Sequence, residues 1–426
     1  MSAISKGKNK LAVMSLLSAS MVLTACGGGG GGSINGAPVV VDRDNSDGES
    51  NLPVAGSGFV DTGQSLGMDN SLAVALGDLD GDGDLDIVVA NVGTGSRVYL
   101  NDGDGMGNFS DSGQLLGLGS IATTSITLGD IDGDGDLDIL LPDARREVIA
   151  GVMTPLISSY DIYLNDGIGG FTDSGQLPEL FTDTLAILGD IDGDGDLDVM
   201  LAGAGASGSS AIDGNLIYFN DGAGGFTDSV GWGGNDPNNA FARESLILGD
   251  IDNDGDLDVL VVNRGNAENQ IFFNNGSGVF TDSNQPLDGN FFALGDVDND
   301  GDLDVASVAS LAFREPSSVY INDGAGRFMN SGEFGFDGGV SGVAFGDLDM
   351  DGDLDLVAAS AFGSNSFFLN NGSGFDAARF LPLRDDLTSN FAIALGDLDG
   401  DGDLDIVLPE LLLGDQGQGI RVFLNQ

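Results

Sequence analysis

Histidine is absent from all 426 residues of this chain, and cysteine occurs once, at Cys26. Without histidine there is no imidazole, the side chain used most often as a general base and as a metal ligand near neutral pH. A single cysteine excludes an internal disulfide, so packing, hydrogen bonds or ions must hold the fold. Basic residues are scarce: 14 Lys and Arg stand against 68 Asp and Glu, a formal net charge of −54. A surface this acidic argues against nucleic acid as a partner, because nothing on it would neutralise phosphates. Lysine occurs only at Lys6, Lys8 and Lys10, and tryptophan only at Trp232. High acidity with aromatics at 7% is a composition that disordered chains share. Here the regularly placed Val, Ile, Leu and Phe, within an apolar fraction of 41%, point to a packed core instead.

The N-terminus reads as a targeting segment and not as part of the fold. MSAISKGKNK carries three lysines and no acid, and LAVMSLLSASMVL follows as an apolar run too short for a comfortable membrane span. Leu23-Thr24-Ala25-Cys26 then resembles a bacterial lipobox, L-x-[AG]-C, whose cysteine is lipidated and becomes the first residue of the mature chain. The alternative is a plain secretory signal with an incidental cysteine. Six glycines, residues 27–32, open a polar stretch that reads as a flexible tether. About 30 residues of such chain reach roughly 30 Å. The expected organisation is a signal peptide over 1–25, a lipidated cysteine and linker over 26–57, and one folded region over 58–426. Gly27, where an aspartate would signal inner-membrane retention, favours the bacterial outer membrane or cell surface by resemblance to the lipoprotein sorting rule.

The folded region is a repeat. The stretch LGDLDGDGDLDIVVA, residues 76–90, returns six more times, with acidic runs starting at Asp78, Asp130, Asp190, Asp250, Asp296, Asp347 and Asp397. The intervals are 52, 60, 60, 46, 51 and 50 residues. An apolar segment precedes each run and another follows it. A third strand signal comes later, as in VYLNDG at 98, IYFNDG at 217 and VYINDG at 319, and a fourth usually follows at once, as in GGFTDSG at 169. Four short strands joined by turn residues make one antiparallel sheet, and the Asn-Asp-Gly steps are hairpin chemistry. Sheets repeated at about 50 residues suggest β-propeller blades, with a stacked solenoid as the alternative. The last unit, RVFLNQ, has a third strand and no fourth, whereas GSGFVDTGQSLG at 56–67 matches a fourth strand ahead of the first acidic run. A ring has a use for such a split unit and a solenoid has none. The expected fold is therefore all-β, a seven-bladed propeller of four-stranded blades, closed by the N-terminal strand joining the last blade.

Five carboxylates within nine residues repel one another, and a cation would relieve them. In the first run Asp78, Asp80 and Asp82 stand at positions one, three and five, with Gly83 at six, Asp84 at seven and Asp86 at nine. Oxygen ligands at one, three and five, a backbone carbonyl at seven and a carboxylate at nine would surround Ca²⁺, with glycine allowing the reversal. Mg²⁺ fits less well, because it demands stricter geometry and keeps its waters. The same five positions are Asp130, Asp132, Asp134, Asp136 and Asp138 in the second run, and Asp190, Asp192, Asp194, Asp196 and Asp198 in the third. They are Asp250, Asp252, Asp254, Asp256 and Asp258 in the fourth, and Asp296, Asp298, Asp300, Asp302 and Asp304 in the fifth. The last two runs supply Asp347, Asp349, Asp351, Asp353 and Asp355, then Asp397, Asp399, Asp401, Asp403 and Asp405. An EF-hand is excluded, since position twelve is Val89, inside a strand, and no helices flank the loop.

These residues resemble the FG-GAP or VCBS-type repeat family, found in integrin α-subunit propellers and many bacterial surface proteins. The resemblance covers about residues 58–426, and no ligand position is lost in seven loops. The GAP tripeptide itself is missing from the repeats, so the match is nearer the bacterial version. The resemblance implies that each calcium loop joins the first and second strands of a blade, and that about seven structural Ca²⁺ ions are bound.

Two functional classes stay open. The first is a calcium-stabilised, membrane-anchored binding, adhesion or scaffold module that takes a protein or glycan ligand. The second is a carbohydrate-active enzyme, a polysaccharide lyase or glycosidase, working through a carboxylate pair. Without histidine or a free cysteine, and with most acids assigned to the loops, no catalytic residue is nominated. The face opposite the calcium loops carries the longest insertions, 143–160, 203–215, 230–243 and 408–419. Arg145, Arg146, Arg243, Arg264, Arg314 and Trp232 fall among such connections and are the candidate ligand residues. Equally, the arginines have acidic neighbours to pair with, as in Arg146-Glu147, Arg243-Glu244 and Arg314-Glu315.

Overall fold

The computed structural model describes residues 58–426, apart from 65, 68, 92, 118–121, 124, 146–147, 150–151, 154–156, 176, 178–183, 204–214, 233–242, 264–267, 309–316, 335–339, 361–363, 373, 382–387, 391 and 413–418. Among the described residues every regular element is a β-strand. No helix there is long and apolar enough to cross a membrane.

Blade 1 shows the pattern. Its strands are Ser71–Gly77, Asp86–Asn91, Ser96–Asn101 and Phe109–Leu116, hydrogen-bonded in that order. DIVVAN, the second strand, is buried at every residue. A strand covered on both faces needs a continuous apolar run and not an alternating one. FSDSGQLL, the outermost strand, has mostly exposed or half-buried residues between its buried ends. Six further sheets repeat the order, and their first strands include Thr127–Gly129, Thr184–Gly189, Arg243–Gly249, Phe291–Gly295, Val340–Gly346 and Ala394–Gly396. In each blade a glycine ends the first strand and pairs with the aspartate at position nine of the acidic loop: Gly77 with Asp86, Gly129 with Asp138, and so on to Gly396 with Asp405. The acidic loop is thus the hairpin between strands one and two, as the family resemblance implies.

First strands of successive blades lie side by side around the axis, and blade 7 returns to blade 1. The strand-ending glycines make that approach possible. A Cβ on Gly77 would meet Leu137 Cδ1 of blade 2 at 2.7 Å, and one on Gly189 would meet Leu248 Cδ1 of blade 4 at 2.7 Å. At the seam, a Cβ on Gly396 would meet Leu85 Cδ1 of blade 1 at 2.6 Å. Apolar clusters accordingly span pairs of neighbouring blades, one of them joining Val74 and Val89 of blade 1 to Val407 and Val422 of blade 7.

Closure follows the split repeat. Val60–Asp61 pairs with Ile420–Leu424 as the outermost strand of blade 7, in the register Val60 with Leu424 and Asp61 with Phe423. Leu66 and Ile420 exchange N–H···O bonds of 3.3 and 3.1 Å further along. Phe59 is buried with its ring edge-on to Phe367, centroids 5.4 Å apart. Asp61 forms an ion pair with Arg421, whose guanidinium also lies 5.0 Å over the Phe423 ring.

Two of the expected insertions are more regular than their sequence suggests. Within 143–160, Asp138–Arg145 and Ile157–Asn165 stay paired as far as Arg145 with Ile157, and Val148–Ile149 pairs with Val152–Met153 as a small separate hairpin. Val148, Ile149, Val152 and Ile157 are β-branched, which suits extended pairing. Within 408–419, Asp405–Leu412 continues as strand and pairs with Thr388–Asn390.

Candidate metal centres

Each acidic loop is wound around its first aspartate. Asp78 Oδ1 accepts the Gly81 N–H at 2.8 Å, and its Oδ2 accepts the Gly83 N–H at 3.1 Å. The second contact recurs in every blade at 3.0 or 3.1 Å, from the position-six glycines 135, 195, 255, 301, 352 and 402 to Asp130, Asp190, Asp250, Asp296, Asp347 and Asp397. These glycines are open to space but have φ between +95° and +103°, which an L side chain resists. Position five adds an Asx turn, as where Asp82 Oδ1 accepts the Asp84 N–H at 3.0 Å.

The winding brings carboxylates together. Asp78, Asp80 and Asp86 each place one oxygen within 4.8 Å of the others, as do Asp130, Asp132 and Asp138. In blades 3, 4 and 5 the groups that meet are positions one, three and five instead: Asp190, Asp192 and Asp194, then Asp250, Asp252 and Asp254, then Asp296, Asp298 and Asp300, and two more groups follow. Positions one and three thus meet in each of these loops, joined by position nine in blades 1 and 2 and by position five in blades 3 to 5. Position seven is turned elsewhere: Cβ atoms on the hairpin glycines Gly103, Gly222, Gly276 and Gly324 would meet Asp84, Asp196, Asp256 and Asp302 oxygens at 2.5–2.6 Å. That side chain faces the hairpin between strands three and four, leaving the backbone carbonyl as the group position seven could offer an ion. Blade 7 has no such hairpin, and there Asp403 Oδ1 is shut from solvent without a hydrogen-bond partner.

A cation fits these loops on two observations. First, Asp80, Asp132, Asp192 and Asp252, all at position three, have an Oδ1 buried and unpartnered, as do Asp130 and Asp250 at position one. An anionic oxygen withdrawn from water without a partner is costly. Second, the clustered side-chain donors are all carboxylate oxygens, the kind that hard divalent cations take. The electrostatics agree. Desolvation pushes the position-nine carboxyls of Asp86, Asp138, Asp198, Asp258, Asp304 and Asp355 up to about 6, and that of Asp405 up to about 7. Backbone N–H donors pull the other way, and the charges at positions three and five add to the rise. A bound cation would offset both the burial and the repulsion.

Position nine does more than join the acidic cluster. Asp86 Oδ2 accepts the N–H of Leu79 at 2.8 Å, and its Oδ1 accepts the N–H of Asn101 at 2.8 Å. Asn101 ends the third strand, and its Nδ2 reaches Leu398 O of blade 7 at 2.9 Å. The same asparagine recurs in every blade. Nδ2 of Asn165, Asn220, Asn274, Asn322, Asn370 and Asn425 donates to the carbonyls of Leu79, Ile131, Ile191, Ile251, Val297 and Leu348, at 2.7 or 2.8 Å. Each acceptor is position two of the preceding blade's loop. The sequence suggests these asparagines only as turn residues. The signal in the sequence is FLNQ in the last blade, which has Asn425 although strand four of that blade is Val60–Asp61 and no turn joins it to strand three.

The candidate ligand face fares differently. Trp232 is 5% exposed, packs edge-on to Phe272 with centroids 5.8 Å apart, and donates Nε1–H to Leu201 O at 2.9 Å. An indole held in the core cannot offer its face to a ligand, so Trp232 leaves the candidate set. Arg145 and Arg243 have their backbones in paired strands, not in free loops. Arg146, Arg264, Arg314 and Cys26 lie outside the described residues.

The fold and its loops define a class: a closed seven-bladed propeller with an acidic, cation-suited hairpin in every blade. The model of the FG-GAP-like repeat matches residues 56–141, 190–261, 250–307, 296–358 and 347–408, and the chain belongs to that family. No curated protein matches the sequence. Among solved structures, BBS1N in complex with ARL6DN, in a lead-soaked crystal, is similar at 11% identity and a TM-score of 0.53, covering 86% of this chain and 95% of that one. A lectin from Agrocybe aegerita that recognises non-reducing terminal N-acetylglucosamine has 20% identity and a TM-score of 0.49, over 73% of this chain and 80% of its own. At 11% identity the likeness to BBS1N concerns the fold alone.

Proposed function

We propose that this chain is a calcium-stabilised binding, adhesion or scaffold module, held at the bacterial outer membrane or cell surface by lipid on Cys26. The observation that carries the calcium part is the set of buried, unpartnered carboxylate oxygens at position three of the first four loops, on Asp80, Asp132, Asp192 and Asp252. Ca²⁺ would be held by the carboxylates of positions one, three, five and nine and by the carbonyl of position seven. Bound there it supplies folding free energy, since the unfolded chain has no such site.

In this reading residues 1–25 are removed, residues 26–57 form the tether, and residues 58–426 are the module. Hairpins between strands one and two lie on the calcium face. Connections between strands two and three, and between blades, therefore meet on the opposite face, where a protein or glycan ligand would bind. The module binds and does not turn over its ligand.

Two experiments test this. In a bacterial host the wild-type chain should fractionate with membranes and Cys26→Ser should not; equal fractionation would remove the lipid anchor. Purified protein in calcium should retain members of a glycan or surface-protein panel without releasing products. Product formation dependent on one loop carboxylate would instead favour the enzyme class.

A further inference from the structure

The asparagine ring joins sites that ions would otherwise occupy independently. Asp138, a position-nine carboxylate of blade 2, holds the N–H of Asn165 at 2.8 Å, and Asn165 Nδ2 holds Leu79 O in blade 1 at 2.8 Å. Leu79 stands between Asp78 and Asp80, positions one and three of the blade 1 loop, and its N–H is bound by Asp86 at position nine. A carboxylate of one loop is thus linked, through the backbone N–H and side chain of one residue, to the peptide between two carboxylates of the next. From Asp86 the path continues through Asn101 to Leu398 of blade 7, so it closes on itself.

We propose that this ring couples the seven calcium sites, so that an ion in one blade raises the affinity of the preceding blade's loop and the ions load cooperatively. The inference rests on the calcium reading above. Without an ion, the clustered carboxylates repel and favour an open loop. An ion in blade 2 fixes Asp138, which fixes Asn165, which in turn fixes the Leu79 peptide in the conformation that aims Asp78 and Asp80 at one point. The next ion then meets a loop that has already lost part of its freedom, which is positive coupling. Linkage makes the effect reciprocal between neighbours. Asn165 and its six counterparts are positioning residues here, since they hold ligands and do not touch the ion.

The test is native mass spectrometry of the full chain, titrated with calcium alone. At half saturation, cooperative loading leaves mostly ion-free and fully loaded protein. A ladder of intermediates centred on half occupancy would overturn the inference while leaving the calcium reading intact. No bound calcium at all would overturn both. The variant Asn220→Asp keeps the size of the side chain and the backbone N–H to Asp198, but sets an oxygen against Ile131 O. It should weaken calcium binding by about 10–100-fold and fill in the intermediates. A purely structural role for Asn220 would lower thermal stability and leave the two-population pattern unchanged, which would also overturn the inference. Should the variant fail to fold, the wild-type distribution decides alone.

Discussion

Asn425 Nδ2 donates to Leu348 O at 2.7 Å, while the Asn425 N–H goes to Asp405 Oδ1 at 2.9 Å. One residue therefore ties the third strand of blade 7 to its own acidic loop and to the loop of blade 6. Asn425→Ala keeps the backbone bond and leaves the buried Leu348 carbonyl without this donor. The expected loss is about 1–3 kcal/mol, read from denaturant unfolding in excess calcium.

Glycines at the strand ends differ from glycines elsewhere. Gly189→Ala drives a methyl toward Leu248 and Leu257 Cδ1 atoms at 2.7 and 3.1 Å. Forcing those leucines aside should cost about 1–3 kcal/mol. Gly332, on an outermost strand, has nothing within 4 Å of its Cβ direction and no positive φ. Gly332→Ala should be neutral or stabilise by up to about 1 kcal/mol. The pair separates blade-to-blade crowding from a general effect of losing glycine.

The closing strand brings a similar contrast. Arg421 is 7% exposed and paired with Asp61 across the seam. Asp61→Ala takes away a carboxylate from a buried guanidinium, at an expected cost of about 3 kcal/mol. Arg97 pairs with Asp111 at 2.9 Å in a more open setting. Asp111→Ala should therefore change stability by less than about 1 kcal/mol.

Calcium-free protein should respond to pH in an unusual direction. Burial lifts the position-nine carboxyls to about 6, and Asp405 to about 7. The unfolded chain releases these protons near pH 4. Between about pH 4 and 7 the folded state binds more protons, so its stability falls as pH rises through that window. In chelator the protein should melt higher at pH 5 than at pH 7.5. In excess calcium the order should invert, because protons and Ca²⁺ compete for the same carboxylates.

Much of this was legible in the chain. Spacing set the acidic loops between strands, and the match of residues 56–67 to an outermost strand foretold the pairing of Val60 with Leu424. Trp232 was not legible: a lone aromatic beside a glycine-rich connection carries no mark of burial, which comes from Phe272 and Phe280 of the neighbouring blade and the Leu201 carbonyl of its own. The asparagines were hidden for another reason. In YLNDG the turn accounts for Asn, Asp and Gly together, so a second role of the first residue leaves no trace until the blade without that turn is compared. Contacts between blades also join residues some 70–90 positions apart in six of the seven cases, and periodicity does not report them.

The most direct measurement is the melting temperature of the purified chain in millimolar calcium and in excess chelator, with bound calcium counted in the same samples. One ion per acidic loop, released together with a large fall in melting temperature, is the expected result. An unchanged melting temperature in chelator, or a protein that carries no calcium, would contradict the account.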